Sequence, residues 1–458
     1  MPAKFQAQRV LPPFHCLCPK MRKPLYKILF LIIATSSAVF PPGNLTAQSR
    51  TQALQDLQEL CSPRMAGRGY QDSGHVHAAH FIAQRFSNLK LATFRKFSDN
   101  LHAYYQPFFL DVNLCDSLSL IAGNQILLPG TDFILHPASG SIQGTFPFLN
   151  IGFGMGEDWE GNKVKGKAVK VRLGYPPDYR NDEITKKTFE PQSMPAFKYE
   201  MADVHAPALL FVEKNKLTAS LSAQAYPFAA IDILPGRIPK GTRKISAFIQ
   251  MRQQKVQTQN VIGSIPGKKH PDSLIIFCAH YDHLGKQGSA VFSGANDNAS
   301  GIAFLLALAA YYAKPENHSD YTLMFIAFGA EEAGLKGSLH FVSHLLPEEK
   351  DKIKFVLNFD LMGNGDQGIT LVAANMYPEH ARIIQQQMEA DTILTELRDN
   401  APNSDHYPFT RIDVPALFLY TKGGPPHYHD VMDTPDQVQF PRWDALFQGI
   451  TKAIEHMP

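Results

Sequence analysis

No CxxC pair occurs anywhere in the 458 residues, which excludes a cysteine-caged zinc of the finger or ribbon type. Charge of one sign is also missing: 44 Lys and Arg stand against 42 Asp and Glu. No basic cluster is interleaved with aromatics, so nothing suggests a nucleic-acid groove. The chain has no uninterrupted apolar run of the roughly 20 residues that a bilayer-spanning helix needs. It has no internal repeat or low-complexity tract either, which argues against a solenoid. What remains is 44% apolar and 19% charged, a globular composition, and the length makes two domains with a real core the first expectation.

The basic residues Arg22, Lys23 and Lys27 precede an apolar stretch over 28–34 that continues less purely to Phe40. Small residues follow at 45–47. This is the pattern of a secretory signal, and residues 1–47 read as an N-terminal extension plus signal peptide, with the true start at Met21. The reading predicts export to the periplasm or the extracellular space and no stable membrane span after cleavage. Of the five cysteines, Cys16 and Cys18 fall in the removed segment. Cys278 sits inside the apolar run SLIIFCAH as a small buried hydrophobe, and Cys61 and Cys115 are left as the pair available for a disulfide.

Helical spacing over 50–60 and 77–89 brackets a Gly- and Ser-rich loop, SPRMAGRGYQDSG. His75, His77 and His80 have no carboxylate or cysteine partner nearby and read as helix-face histidines. Over 104–251 the texture is of short β-type runs separated by Gly, Pro, Asn and Asp turns, with no long amphipathic helix, so the block reads as an inserted β-rich domain. The flanking segments 48–103 and 252–458 form the second predicted domain. After 256, apolar strands alternate with helices predicted at 299–313, 339–346, 379–390 and 443–456. That alternation predicts an α/β fold whose mainly parallel central sheet carries helices on both faces.

Ligands of such a sheet bind beyond the carboxyl ends of its strands. His280 ends SLIIFCAH, Glu331 and Glu332 follow YTLMFIAF, and Asp360 ends KFVLNF. Asp297, in the turn GANDNASG, can return to the same edge. Any one of these alone reads as a cap or a solvated turn, but their convergence has no shared structural explanation. A set of His, Asp and Glu without Cys suits zinc first, then cobalt or manganese. Two metals need a bridging carboxylate and a base, and the adjacent Glu331 and Glu332 can supply a ligand and a base together.

The segments AHYDHLG, GANDNASG, FGAEEAGLKGS, NFDLMG, SDHYPF and HYHDVMDTPD, in this order and at these intervals, resemble the M28 family of zinc aminopeptidases over roughly 256–458. LCSPRMAGRG around Arg64 resembles the family's N-terminal segment. The resemblance implies two Zn2+ per chain: His280 and Asp360 on one, Glu332 and His429 on the other, and Asp297 between them. It makes Glu331 the general base, Asp282 the partner that orients the His280 imidazole, and Tyr428 a group that polarises the scissile carbonyl. His429 is preferred to His427 by its spacing from Asp433 and Thr434, and His406 belongs to the pocket or its support. The 104–251 block resembles a protease-associated domain. The implied activity is a secreted metallopeptidase removing N-terminal residues from peptides with a free N-terminus. A glutaminyl cyclase, a carboxypeptidase and a non-catalytic binding protein on the same scaffold are the alternatives.

Overall fold

The computed structural model describes residues 43–94, 100–160, 163–177, 187, 190–192, 194–345 and 347–458. Residues 1–42 of the predicted 1–47 extension and signal peptide lie outside them, and the expected cleavage region Leu45-Thr46-Ala47 falls within the first helix, Gly43–Leu60. The described chain from Pro42 onward forms one compact unit.

Period-two side-chain alternation explains why the central strand, His270–His280, holds two cores apart. Ile275, Phe277 and Ala279 enter one apolar cluster, while Ile276 and Cys278 enter another on the opposite face. Parallel neighbours Tyr321–Phe328 and Ile353–Phe359 flank it, and Ala416–Thr421 continues the parallel set. Ile369–Val372 then pairs antiparallel with Ala416–Thr421 and parallel with Thr395–Arg398. Helices cover both faces, as the alternation of strand and helix predicts. Gly43–Leu60, Gly74–Asn88, Ser300–Tyr312, Pro378–Ala390 and Trp443–Glu455 contribute to the larger core, and Lys336–Ser343 closes the smaller one.

The Ser300–Tyr312 helix is more central than a single apolar face suggests, since every residue from Ser300 to Ala309 is buried. Its entry is tight. A Cβ on Gly301 would lie 2.7 Å from the Phe359 carbonyl oxygen, so only glycine lets this helix approach the strand that leads to Asp360.

The block over 104–251 contains longer strands than its sequence texture suggests. Tyr105–Ala122 is a single strand with an irregularity between Cys115 and Ser117, and it pairs antiparallel with Lys244–Ile265 along nearly its whole length. Lys244–Ile265 also pairs with Tyr321–Phe328, so one strand runs from the block into the central sheet and through the expected boundary at 251. The block holds an 11-residue helix, Pro195–His205, where no amphipathic helix is expected from sequence. Only Lys198, Tyr199 and Ala202 of the helix are buried, one of them a lysine, which leaves little apolar periodicity to read. Cys61, Cys115 and Cys278 are all free thiols. His75 is buried between the main-chain oxygens of Gly69 and Gln257, a structural role. Among the described residues no helix is long and apolar enough to cross a membrane.

One side chain ties the N-terminal segment to the edge of the sheet. Arg68 is fully buried and donates to five main-chain oxygens: Tyr281 at 2.8 Å, Leu60 at 3.1 Å, Ser293 and Gly294 at 2.7 Å each, and Asp297 at 3.2 Å. Arg68→Met keeps much of the bulk and strips these carbonyls of their donors. We expect it to lower the unfolding free energy by about 3 kcal/mol or more, read from urea denaturation, and a loss under about 1 kcal/mol would contradict the assigned role.

Candidate metal centre

Three strand ends and two turns build the site. His280 is the last residue of its strand, Asp360 directly follows Ile353–Phe359, and Glu331 and Glu332 lie three and four residues after Tyr321–Phe328. Between that strand and the glutamates, Ala330 is buried with φ of 59°, a left-handed conformation that turns the pair back over the sheet edge. Asp297 comes from the turn before the Ser300–Tyr312 helix. Asp433 fixes that turn by accepting the main-chain N–H of Asn296 at 2.8 Å and of Asp297 at 3.0 Å, and the Asp297–Asn298 peptide is cis.

The geometry is that of two donor sets sharing one carboxylate. His280 Nε2 lies 3.3 Å from Asp297 Oδ1 and 3.4 Å from Asp360 Oδ1. On the other side, His429 Nε2 lies 3.2 Å from Asp297 Oδ2 and 3.1 Å from Glu332 Oε2. A tetrahedral zinc with bonds of about 2.0–2.1 Å sets its donors about 3.3 Å apart, which these separations match. Asp297 Oδ2 and Asp360 Oδ1 are buried without a hydrogen-bond partner, as metal-facing oxygens would be. The donor set therefore fits zinc on both sides of Asp297.

Electrostatics carry the same message. Burial alone would make the two histidines harder to protonate, yet the surrounding carboxylates win: Asp360 and Glu331 raise His280 well above its ordinary range, and Glu332 and Asp297 push His429 up to about 11. In return, the histidines outweigh burial and hold Asp297 well below the usual carboxylate range, and His429 holds Glu332 down to about 2. Glu331 goes the other way. Burial, with the like charge of Glu332, raises it well above the ordinary value despite His280 nearby. Two adjacent glutamates thus have opposite tendencies, one suited to holding a cation and one to exchanging a proton.

The supporting contacts differ in detail from the sequence expectation. The Nδ1 of His280 faces the main-chain oxygen of Asp282 at 3.2 Å, while the Asp282 carboxylate is 4.0 Å from it. That carboxylate instead accepts the Glu331 main-chain N–H at 3.0 Å and the Tyr70 hydroxyl at 3.2 Å, so it fixes the backbone of the proposed base. Tyr428 is more than half exposed and stacks on the His429 ring at 3.8 Å. His427 precedes this pair and contributes to a neighbouring cavity. His406 is buried, and its Nε2 lies 3.2 Å from Asn400 Oδ1.

Several participants escaped the sequence reading. His283, inside AHYDHLG, is buried with Nδ1 at 2.7 Å from Glu332 Oε1 and a bare Nε2, so Glu332 is gripped from two sides. Its Nδ1 contact is of hydrogen-bond length, and His283, Asp297 and Glu332 also lie close enough together to offer an ion three donors. Ser404 donates to Asp360 Oδ2 at 2.9 Å and itself receives Asn358 Nδ2 at 2.7 Å. Asp405 is buried beside the hydroxyl of Ser338 and is raised to about 7, mainly by burial. The signal for the Ser404 and Asp405 roles was present in SDHYPF, but nothing in sequence says which neighbour each residue meets. A cavity of about 180 Å3 opens on the cluster between Leu361, Phe418, Tyr420 and Tyr428, with Arg398 and Asn403 at its wall.

Residues 260–454 match the family model for Peptidase family M28. The chain is similar to Aminopeptidase YwaD of Bacillus subtilis, 28% identical over 433 residues that cover 89% of this chain and 84% of the relative. A shorter stretch of 129 residues is 40% identical to an aminopeptidase of Pseudomonas aeruginosa and covers 27% of this chain and 22% of that protein. Among solved structures, a zinc aminopeptidase from Bacillus subtilis superposes with a TM-score of 0.66 at 20% identity, covering 89% of this chain and 94% of that one. An aminopeptidase from Aneurinibacillus sp. strain AM-1 gives 0.62 at 20% identity, over 90% and 95%. At these identities the two structures establish a shared fold. The stretch 260–454 thus carries the match to peptidase family M28, the zinc metallopeptidase family that its motifs resemble.

Proposed function

We propose that the protein is an exported aminopeptidase that holds two zinc ions and removes single residues from the free N-terminus of peptides. The observation that carries the two-ion reading is Asp297, whose separate carboxylate oxygens face His280 and His429 at nearly equal distances of 3.3 and 3.2 Å. His280 and Asp360 would hold one ion, Glu332 and His429 the other, and Asp297 both. When bound, the ions supply Lewis-acid polarisation of the peptide carbonyl and a lowered pKa for water. Cobalt or manganese would satisfy the same donors.

The chain's own residues do the rest. Glu331, held by Asp282 through its main-chain N–H, takes a proton from the attacking water and returns it to the departing amine. Its raised proton affinity suits that exchange. Tyr428 sits against His429 at the mouth of the cavity, and its phenol, protonated at neutral pH as in any tyrosine, can donate to the developing oxyanion. Leu361 and Phe418 give the cavity an apolar wall for one substrate side chain. The 104–251 block forms part of the proposal as a domain that limits approach to the site, and export through the 1–47 segment supplies the location.

Two measurements test this. On a panel of aminoacyl chromogenic substrates, hydrolysis is expected for free N-termini and not for acylated counterparts, with loss of activity under a chelator and recovery on adding zinc. Release from the C-terminus, or cyclisation of N-terminal glutamine, would contradict the aminopeptidase reading. Glu331→Gln should lower kcat by about 100- to 10,000-fold while zinc content, read by elemental analysis, stays at the wild-type value. Turnover retained by that variant would remove Glu331 from its role.

A further inference from the structure

The loop that carries His429 is held by a segment of the 104–251 block. After the strand Leu209–Glu213 the chain runs through 214–223 without helix or strand. Its ends are anchored: Lys214 pairs with Asp232 at 2.6 Å, and Ser222 O accepts the Asn113 N–H at 2.8 Å. Between these anchors the segment grips the His429 loop at two places. His429 Nδ1 donates to Ala219 O at 2.8 Å, and Ala219 N–H donates to His429 O at 3.0 Å. Lys216 Nζ donates to the main-chain oxygens of Pro426 at 2.7 Å and Tyr428 at 3.0 Å. Leu217 and Ala219 are buried in an apolar cluster with Leu284 and Phe292, and Val431 of the His429 loop packs against the same cluster.

Two further facts show that the contact has work to do. His429 adopts φ of 56°, a left-handed conformation that is unfavourable for a residue with a β-carbon and persists only when the surroundings impose it. A proton on Nδ1 directed at Ala219 O leaves Nε2 bare, and Nε2 is the atom facing Glu332 and Asp297. Among the described residues no comparable strap reaches His280, whose Nδ1 faces the main-chain oxygen of Asp282 in its own loop.

We propose that the 214–223 segment is a positioning strap for the second metal ion: Ala219 sets the tautomer and aim of His429, and Lys216 pins the backbone beside it. The 104–251 block then acts directly on occupancy of the His429 half of the metal centre and reaches the His280 half only through the shared Asp297. This inference rests on the two-ion reading above.

The test is stepwise zinc binding by metal-free wild type, Lys216→Met and Lys216→Arg, in competition with a chromophoric chelator. Lys216 is exposed, so its replacement leaves the core intact, and an unchanged thermal midpoint checks this. Wild type is expected to bind two ions. In Lys216→Met the tighter or looser step that belongs to the His429 half weakens by about 10- to 100-fold and the other is unchanged, with Lys216→Arg restoring both. The assignment of the steps comes from His429→Ala, which keeps only the His280 half: adding Lys216→Met to it should have no effect on the remaining ion. Hydrogen exchange should rise over 424–432 in Lys216→Met and not over 274–282. Two ions bound by Lys216→Met with wild-type affinities would overturn the strap while leaving the two-ion reading intact. A single ion bound by wild type would overturn that reading, and the strap with it.

Discussion

Everything at the sheet edge answers one electrostatic constraint. Asp297, Glu331, Glu332 and Asp360 are brought together around His280 and His429 in surroundings with little water, where like charges a few ångströms apart repel strongly. Such a cluster is tolerable only with cations among its oxygens. Protons drawn onto the two imidazoles answer the demand in one way, and two divalent ions answer it more completely, since four formal negative charges then meet four positive ones. The sequence spends its strand ends, a buried arginine and a distant histidine on holding this arrangement.

The scaffold holds it by over-determination. Arg68 gathers the carbonyls of Gly294 and Asp297 from one side while Asp433 receives the N–H groups of Asn296 and Asp297 from the other. Asp297 is thus fixed through its backbone, and its two carboxylate oxygens face His280 and His429. Left-handed backbone at Ala330, Leu361 and His429, beside Glu331, beside Asp360 and at the histidine itself, marks where the chain accepts strain to aim a side chain. The same logic extends outward, because His429 is aimed by a segment more than two hundred residues away in sequence.

Much of this was readable before any coordinates. Apolar runs ending in His280 and Asp360, with the Glu331 and Glu332 pair after a third, predict a polar edge on a parallel sheet because buried strands must stop where ionisable groups begin. Asp433 was used only as a ruler for selecting His429, and its part in fixing Asp297 is a backbone contact that spacing cannot express. Arg68 lay in a segment recognised by resemblance, yet its partners are carbonyl oxygens, which every residue has and none advertises. Ala219 is the extreme case: it meets His429 through its main-chain oxygen and N–H alone. Polar residues around Asp116 and Ser117 likewise broke one long strand into two apparent runs, since a local irregularity shifts the alternation that a sequence reading depends on.

A crystal structure of the zinc-loaded protein, with anomalous scattering recorded at the zinc edge, tests the central claim most directly. Two peaks about 3.5–4 Å apart are expected, with Asp297 contributing one oxygen to each, His280 and Asp360 at the first and Glu332 and His429 at the second. A single peak, or a second one that His429 does not touch, would contradict it.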